Sequence, residues 1–293
     1  MTSVSPKVLA LLGVLTLVWG TNWPLFRIAL DELPVWTFRT IVVSAAVLML
    51  TAILVIRRES FAVPRGKWPV LIAAAAMNVG VWNIATSLAV LYIPSGHASV
   101  LAYTMPLWVA LLGFVVFGQR LTPRLLAAIL IGAAAVVALM APNFRDYAQA
   151  PWGLFWGLLA GFCWAVGTFI VKRTSWPGMG LSLTFWQVAI CLPPIALGAL
   201  LIDGLPTHWP STKALAATLY TGAIPMALGT ATWFALVKLL PAQVAALSSI
   251  AIPIVAIVSG ILILHEPLSW LQAVAIASTV LSLWLALVPG RRG

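Results

Sequence analysis

Charged residues are scarce in this chain. Asp and Glu together number 6 among 293 residues, Lys and Arg 16, and the four types make up 8% of the sequence. Soluble domains carry about 25% charged residues, so a water-facing globular surface is excluded. The 2 cysteines, Cys163 and Cys191, both lie inside apolar stretches, which argues against a disulfide framework or a cysteine-rich metal site. Histidine is limited to His97, His208 and His265, all at the edges of apolar runs. No nucleophile–base or His/Asp cluster at catalytic spacing is therefore offered for an intramembrane enzyme. A G-x-x-x-x-G-K-[ST] phosphate loop is missing, as is any polar stretch of nucleotide-binding-domain length, so ATP-driven work by this chain alone is unsupported. No Asp or Glu falls at mid-depth in an apolar run. No cofactor and no metal are expected.

What the chain has instead is apolar sequence: 62% hydrophobic residues and a mean hydropathy of +1.08, the composition of a polytopic helical membrane protein. A net charge of +10 and a pI near 10.5 would suggest nucleic acid in a polar protein. Here the basic residues are short punctuation between apolar runs, where they orient loops and meet anionic lipid, and nucleic acid is not an expected partner. Ten candidate spans read as 7–28, 34–56, 68–92, 96–117, 123–141, 152–173, 180–202, 213–239, 242–264 and 268–288, each near the ~20 residues a bilayer requires. The first is read as a retained helix, since Thr21, Asn22 and Arg27 follow it without a small-residue cleavage site. Connectors carry turn chemistry, as in Pro64-Arg65-Gly66, Pro94-Ser95-Gly96 and Asp203-Gly204.

The spans repeat. Pro94 and Pro241, Pro106 and Pro253, and Pro142 and Pro289 are each 147 positions apart, and Thr37-Phe38 meets Thr184-Phe185, Gly113 meets Gly260 and Gln119 meets Glu266 at the same offset. Residues 1–147 and 148–293 thus read as two copies of a five-helix unit. With the N-terminus cytoplasmic, Lys7, Arg57, Arg58, Arg65, Lys67, Arg120, Arg124, Lys172, Arg173, Lys238, Arg291 and Arg292 fall inside. Only Arg27, Arg39, Arg145 and Lys213 fall outside. Basic loops follow the second and fourth spans of the first copy but the first and third of the second. That change of phase implies inverted copies, an architecture of secondary transporters. The expected fold class is all-α and polytopic: ten transmembrane helices in two inverted five-helix repeats around a central cavity.

Trp19-Gly20-Thr21-Asn22 in the first span, Pro106 and Pro253 within the fourth and ninth, and the closing segments Gly118-Gln119-Arg120-Leu121-Thr122 and His265-Glu266-Pro267-Leu268-Ser269 carry a family likeness over nearly the whole chain. The sequence resembles the drug/metabolite transporter superfamily, in particular its ten-helix exporters built of two EamA-type repeats. The first copy departs from the family pattern by having Gln119 where an acid is common. The resemblance implies a basket of ten helices whose first, third, fourth, sixth, eighth and ninth members line a central cavity, and the export of small metabolites such as amino acids.

The residues give candidate positions of their own. Polar groups in hydrocarbon are costly unless paired or wetted, so intramembrane amides and hydroxyls mark a pathway or an interhelical hydrogen bond. Trp19 and Asn22 share a helix face with Trp23, and Asn78, Trp82 and Thr86 form a stripe beside Asn83 and Ser87. Such faces suit a solute with an apolar body and a polar head. Of the 15 tryptophans, Trp36, Trp68, Trp152, Trp176, Trp209 and Trp270 sit at span ends as interfacial anchors. Trp19, Trp82, Trp164, Trp186 and Trp233 fall deeper, with Thr168 one turn after Trp164, while packing accounts for Trp108, Trp156 and Trp284. Tyr103 precedes the first matched proline and Ser248 the second, and Thr230 stands opposite Asn83 in the repeat. The substrate-binding candidates are therefore Trp19, Asn22, Asn78, Trp82, Asn83, Tyr103, Trp164, Thr168, Trp186, Thr230, Trp233 and Ser248. Pro106 and Pro253 should kink their helices, as hinges or as static bends. Arg27 and Asp31 suit an i, i+4 pair, and Lys238 a snorkelling cation.

These readings favour gradient-driven efflux of amphipathic metabolites by alternating access, with amino acids, aromatic ones included, as the leading class. Nucleotide-sugar or drug transport and a channel-like pore are the alternatives. Phosphate-bearing solutes would call for Lys or Arg within the cavity, and no such residue is expected at mid-depth. The implied partners are a small-molecule substrate and membrane lipid, with a monomer in the bacterial inner membrane and both termini cytoplasmic.

Overall fold

The structure, a computed structural model, describes residues 6–119, 122–140, 150–205, 208–240 and 249–265, with a few helical positions between 270 and 281. The described residues are helical, with no strand among them. Seven helices among them are long and apolar enough to cross a membrane: Val8–Leu30, Val35–Ile56, Trp68–Tyr92, Ser95–Val115, Pro151–Arg173, Ser182–Asp203 and Thr212–Leu239. They coincide with the first four and the sixth to eighth spans expected from sequence. The fifth corresponds to the 18-residue helix Pro123–Met140 and the ninth to the 13-residue apolar helix Ile252–Leu264. Most of the tenth, 268–288, lies outside the described residues, as do Pro142, Pro241, Pro289 and Glu266.

Local chemistry sets the boundaries. Val35–Ile56 begins directly after Pro34 and ends at Arg57. Arg58 then adopts a left-handed φ of 53° and Gly66 one of 78° as the chain turns back. Thr212–Thr221 is capped by Ser211, whose hydroxyl accepts from the Ala214 N–H at 3.2 Å, satisfying one of the donors a helix start leaves orphaned.

Besides the π-helical turn Ala199–Asp203 that ends one span, π-helical turns interrupt two others, at Ala76–Val81 and Gly222–Gly229. These two fall at equivalent positions under the 147-residue offset. The second holds Pro225, which lacks an N–H and cannot continue the regular ladder; π-turns of this kind re-aim the residues that follow them. Those residues are Trp82 and Asn83 in one span and Thr230 in the other.

Pro106 does not bend a continuous helix. Ser95–Ala102 ends in a turn at Tyr103 and Thr104, and a new helix starts at Met105, with Pro106 in its first turn. Pro253 occupies the same place in Ile252–Leu264, after the short 3-10 turn Ser249–Ala251. A first-turn proline surrenders an N–H that would have had no intrahelical partner, so a break is less costly here than the mid-helix kink the sequence suggests.

Packing interleaves the two parts of the chain. Pro151–Arg173 lies along Trp68–Tyr92 and Ser95–Val115, while Ser182–Gly198 lies along Val35–Ile56. Gly222–Gly229 packs on Val35–Ile56, and Ile252–Leu264 on Pro6–Gly20. At one end of the bundle Glu32 accepts from the Ser211 N–H and hydroxyl, both at 2.6 Å, and Asp203 accepts from the Thr37 N–H and hydroxyl at 2.6 and 2.9 Å. At the other, the Leu181 N–H donates to Glu59 and the Trp186 indole to the Phe61 carbonyl. Lys172 there donates to the carbonyls of Val237 and Leu240 at 2.7 and 2.8 Å, closing the end of Thr230–Leu239. Arg27 and Asp31 form the i, i+4 pair expected of them, at 3.0 Å. Lys238 donates to the Met179 carbonyl at 2.9 Å.

Candidate functional site

Six spans converge on a cavity of about 40 Å³. Val8–Leu30 contributes Trp19, Asn22, Trp23 and Phe26, and Val35–Ile56 contributes Arg39. Trp68–Tyr92 supplies Trp82 and Asn83, Ser95–Val115 Tyr103, and Pro151–Arg173 Trp164. A sixth span, Thr212–Leu239, adds Thr221, Pro225, Met226 and Thr230. The volume accommodates only a few waters, whereas ligand pockets run to roughly 300–1,000 Å³. The space between these side chains is therefore too small for a metabolite, which fits only if they part.

The walls are an aromatic lattice. Trp19 meets Trp164 edge-on with centroids 5.5 Å apart, Trp82 lies 4.6 Å from Trp164, and Tyr103 lies 5.9 Å from Trp82 and 6.1 Å from Trp23. Hydrogen bonds tie the lattice across the chain. The Trp19 indole donates to the Pro225 carbonyl at 2.9 Å, and the Thr221 hydroxyl donates to Asn22 Oδ1 at 2.8 Å. Aromatic faces with a few convergent polar groups suit an amphipathic solute.

Arg39 corrects the sequence reading: it puts a cation in the cavity wall, where that reading expects none. It is 2% exposed. Its Nε donates to Ser87 Oγ at 2.6 Å, Nη1 to Asn83 Oδ1 at 3.0 Å and Nη2 to Thr86 Oγ1 at 2.9 Å. Its guanidinium carbon stands 4.2 Å from the Phe26 ring centroid and 4.8 Å from that of Phe38, a geometry of cation–π attraction. Asn83 is nine residues before Tyr92, which places it about 14 Å from that end of its helix. Charge counting places Arg39 with the outer-side cations because it lies in the first turns of the span 34–56. The repeat held the better signal: the shared Thr-Phe pair is followed by Arg39 in one copy and by Trp186 in the other.

The candidates divide. Trp19, Asn22, Trp82, Asn83, Tyr103, Trp164 and Thr230 meet at the cavity. Trp233 backs it, 5.8 Å from Trp19 and 6.1 Å from Trp164. Asn78 donates to Gln187 at 3.0 Å, and its Oδ1 fits only because residue 167 is glycine: a Cβ there would come within 2.3 Å of it. Asn78 Oδ1, Thr168 Oγ1 and Trp233 Nε1 are buried without a hydrogen-bond partner among the described residues. Trp186 lies apart, its ring 5.0 Å from Trp68 near the end where Phe61 is found. Ser248 lies outside the described residues. The lining residues Phe26, Thr221, Pro225 and Met226 carry no motif and were not singled out; Trp23 shared the Trp19 face. The second span, through Arg39, joins the lining, while Ile252–Leu264 contributes nothing to it. Cys163 and Cys191 are both buried and unpaired, and no group of three or more His, Cys, Asp or Glu is gathered among the described residues.

Comparison with known proteins places this geometry. The family model described as the EamA-like transporter family matches residues 7–141 and again 151–288. The chain is 26% identical over 265 residues to the uncharacterized transporter YvbV of Bacillus subtilis strain 168, covering 88% of this chain and 84% of the relative. It is 27% identical over 277 residues to a protein of Escherichia coli strain K12 named as a probable amino-acid metabolite efflux pump, covering 90% and 89%. A protein of Streptantibioticus cattleyicolor named as a probable terminal-alkyne amino-acid exporter is 28% identical over 263 residues, covering 86% and 84%. One solved crystal structure superposes with a TM-score of 0.75 at 22% identity over 96% of both chains, so the fold is shared.

Proposed function

Since the chain belongs to the EamA-like transporter family and is an integral membrane protein, we propose that it is a secondary exporter of small amphipathic metabolites, with amino acids as its leading substrates, aromatic ones included. The observation that carries this reading is the small cavity where Trp19, Asn22, Arg39, Trp82 and Asn83 meet Trp164, Thr221 and Thr230. Rings there can bury an apolar body while amides and hydroxyls orient a polar head. Relatives named for amino-acid export support the substrate class.

In this proposal the chain forms ten helices in two inverted repeats, 1–147 and 148–293, that rock about the cavity to expose it alternately to either side. The breaks before Pro106 and Pro253 serve as hinges. Arg57, Arg58, Arg65, Lys67, Lys172 and Arg173 cluster around one end, which by the positive-inside rule faces the cytoplasm together with both termini. Transport is downhill: the four described carboxylates, Asp31, Glu32, Glu59 and Asp203, sit at helix ends or in connections, away from the depth at which coupled carriers commonly hold one.

Counterflow tests the proposal. Proteoliposomes loaded with one unlabelled amino acid at a time should accumulate its labelled form transiently and saturably, and Trp164→Ala and Asn83→Ala should each change the affinity or rate. If no amino acid in the panel gives counterflow, the substrate class is wrong. If the solute that does is unaffected by both substitutions, the cavity is not its path.

A further inference from the structure

Arg39 is a buried cation with no anion to answer it among the described residues. Its three hydrogen bonds end on the neutral oxygens of Ser87, Asn83 and Thr86. Every described carboxylate is engaged elsewhere: Asp31 with Arg27, Glu59 with Arg57, Glu32 with Ser211 and Asp203 with Thr37. A guanidinium presents five N–H donors in a planar fork matched to a carboxylate, and three bonds leave two of them. The same side chain forms part of the cavity wall. Packing between Val35–Ile56 and Trp68–Tyr92 would be served by a neutral residue of similar length without the desolvation cost of a charge.

We infer that Arg39 is the point at which the protein recognises the carboxylate of its transported solute. The inference rests on the cavity being the transport path and narrows the substrate class to monocarboxylates with an apolar body, α-amino acids among them. Ser87, Thr86 and Asn83 are positioning residues: they fix the plane of the fork with neutral acceptors and leave its charge unneutralised. A resident carboxylate would occupy Arg39 permanently and compete with the solute. An arriving carboxylate instead makes charge-assisted hydrogen bonds stronger than those to hydroxyl and amide oxygens, while Trp19, Trp82 and Trp164 cover the apolar body. Release follows when the cavity opens and water resolvates both charges.

The test compares an acid with its amide. The purified full-length protein is titrated with 3-phenylpropionate and 3-phenylpropionamide, read by its intrinsic tryptophan fluorescence, and counterflow of labelled phenylalanine is measured against both competitors. The wild type should respond saturably to the acid with a half-saturation at least about tenfold below that of the amide, the scale of a charge-assisted bond. Arg39→Gln should abolish the preference, Arg39→Lys retain part of it, and Ser87→Ala, which frees the fork to turn, reduce it. An acid that gives no saturable response, a wild type that binds acid and amide equally, or an Arg39→Gln protein that keeps the preference overturns the assignment. The wild-type comparison decides even if Arg39→Gln fails to fold. Counterflow without acid preference rejects Arg39 and leaves the exporter reading standing; acid preference without counterflow rejects the exporter reading and leaves Arg39 as an anion-recognising residue.

Discussion

The indole N–H of Trp19 donates to the carbonyl of Pro225 at 2.9 Å, joining the first span to the π-helical turn of Thr212–Leu239 through a buried bond. The contact ties the aromatic wall to the π-helical segment Gly222–Gly229. Removing the donor while keeping a ring, by Trp19→Phe, deletes this bond and should lower stability by about 1 kcal/mol. Thermal unfolding in detergent measures the loss, and an unchanged midpoint would mean the bond contributes nothing.

Gly229 makes that contact sterically possible. A Cβ at this position would stand 2.3 Å from Trp19 Nε1, so Gly229→Ala should push the indole away from Pro225 and cut the rate of counterflow at least about tenfold, the cost of a small misplacement in a functional site. Gly13 has no atom within 4 Å of an added Cβ, and Gly13→Ala is the matched control. It should leave transport intact and gain up to about 1 kcal/mol of helix stability.

Apolar runs and their punctuation made the spans legible, because bilayer thickness leaves little freedom in helix length. Helical spacing puts Trp19 with Asn22 on one face and Trp82 beside Asn83 on neighbouring stripes, and the family resemblance supplies the expectation that these faces line one cavity. The place of Arg39 did not follow, since charge counting reads a cation near a span end as facing the membrane surface, and its burial depends on Ser87, Thr86 and Asn83 from another helix. The placement of Trp186 beside Trp68 was equally hidden, because depth in a span does not say which face a side chain takes. The break at Pro106 shows the same limit: the residue announces a disruption, while the preceding turn decides between bend and restart.

The Glu32–Ser211 contact gives one end of the bundle a pH dependence. The Ser211 hydroxyl first, and its N–H second, hold the Glu32 carboxyl below its ordinary value. For a depressed carboxylate the stabilisation is fully present above the unfolded-state pKa, about 4.3, and is lost as pH falls through the lower folded value. Glu32→Gln should remove this part of the acid-induced loss, so that the unfolding midpoints of variant and wild type converge at low pH. Parallel curves across the acid range would contradict it.

Downhill export should survive loss of the proton gradient. Efflux of a counterflow-competent amino acid from loaded proteoliposomes is expected to keep its initial rate when a protonophore is added. Collapse of the rate would instead require a proton-coupled step and an ionisable group to carry it.

The central claim, that the cavity lined by Trp19, Arg39, Trp164 and Thr230 is the solute's path, is tested most directly by substrate protection. Thr230→Cys, in a background with Cys163→Ala and Cys191→Ala, provides a single thiol in the cavity wall for a small permeant alkylating reagent. The account predicts that the transported amino acid slows alkylation in a saturable way, with half-protection at the concentration that half-saturates counterflow. An alkylation rate unchanged at saturating solute, while counterflow proceeds, would contradict it.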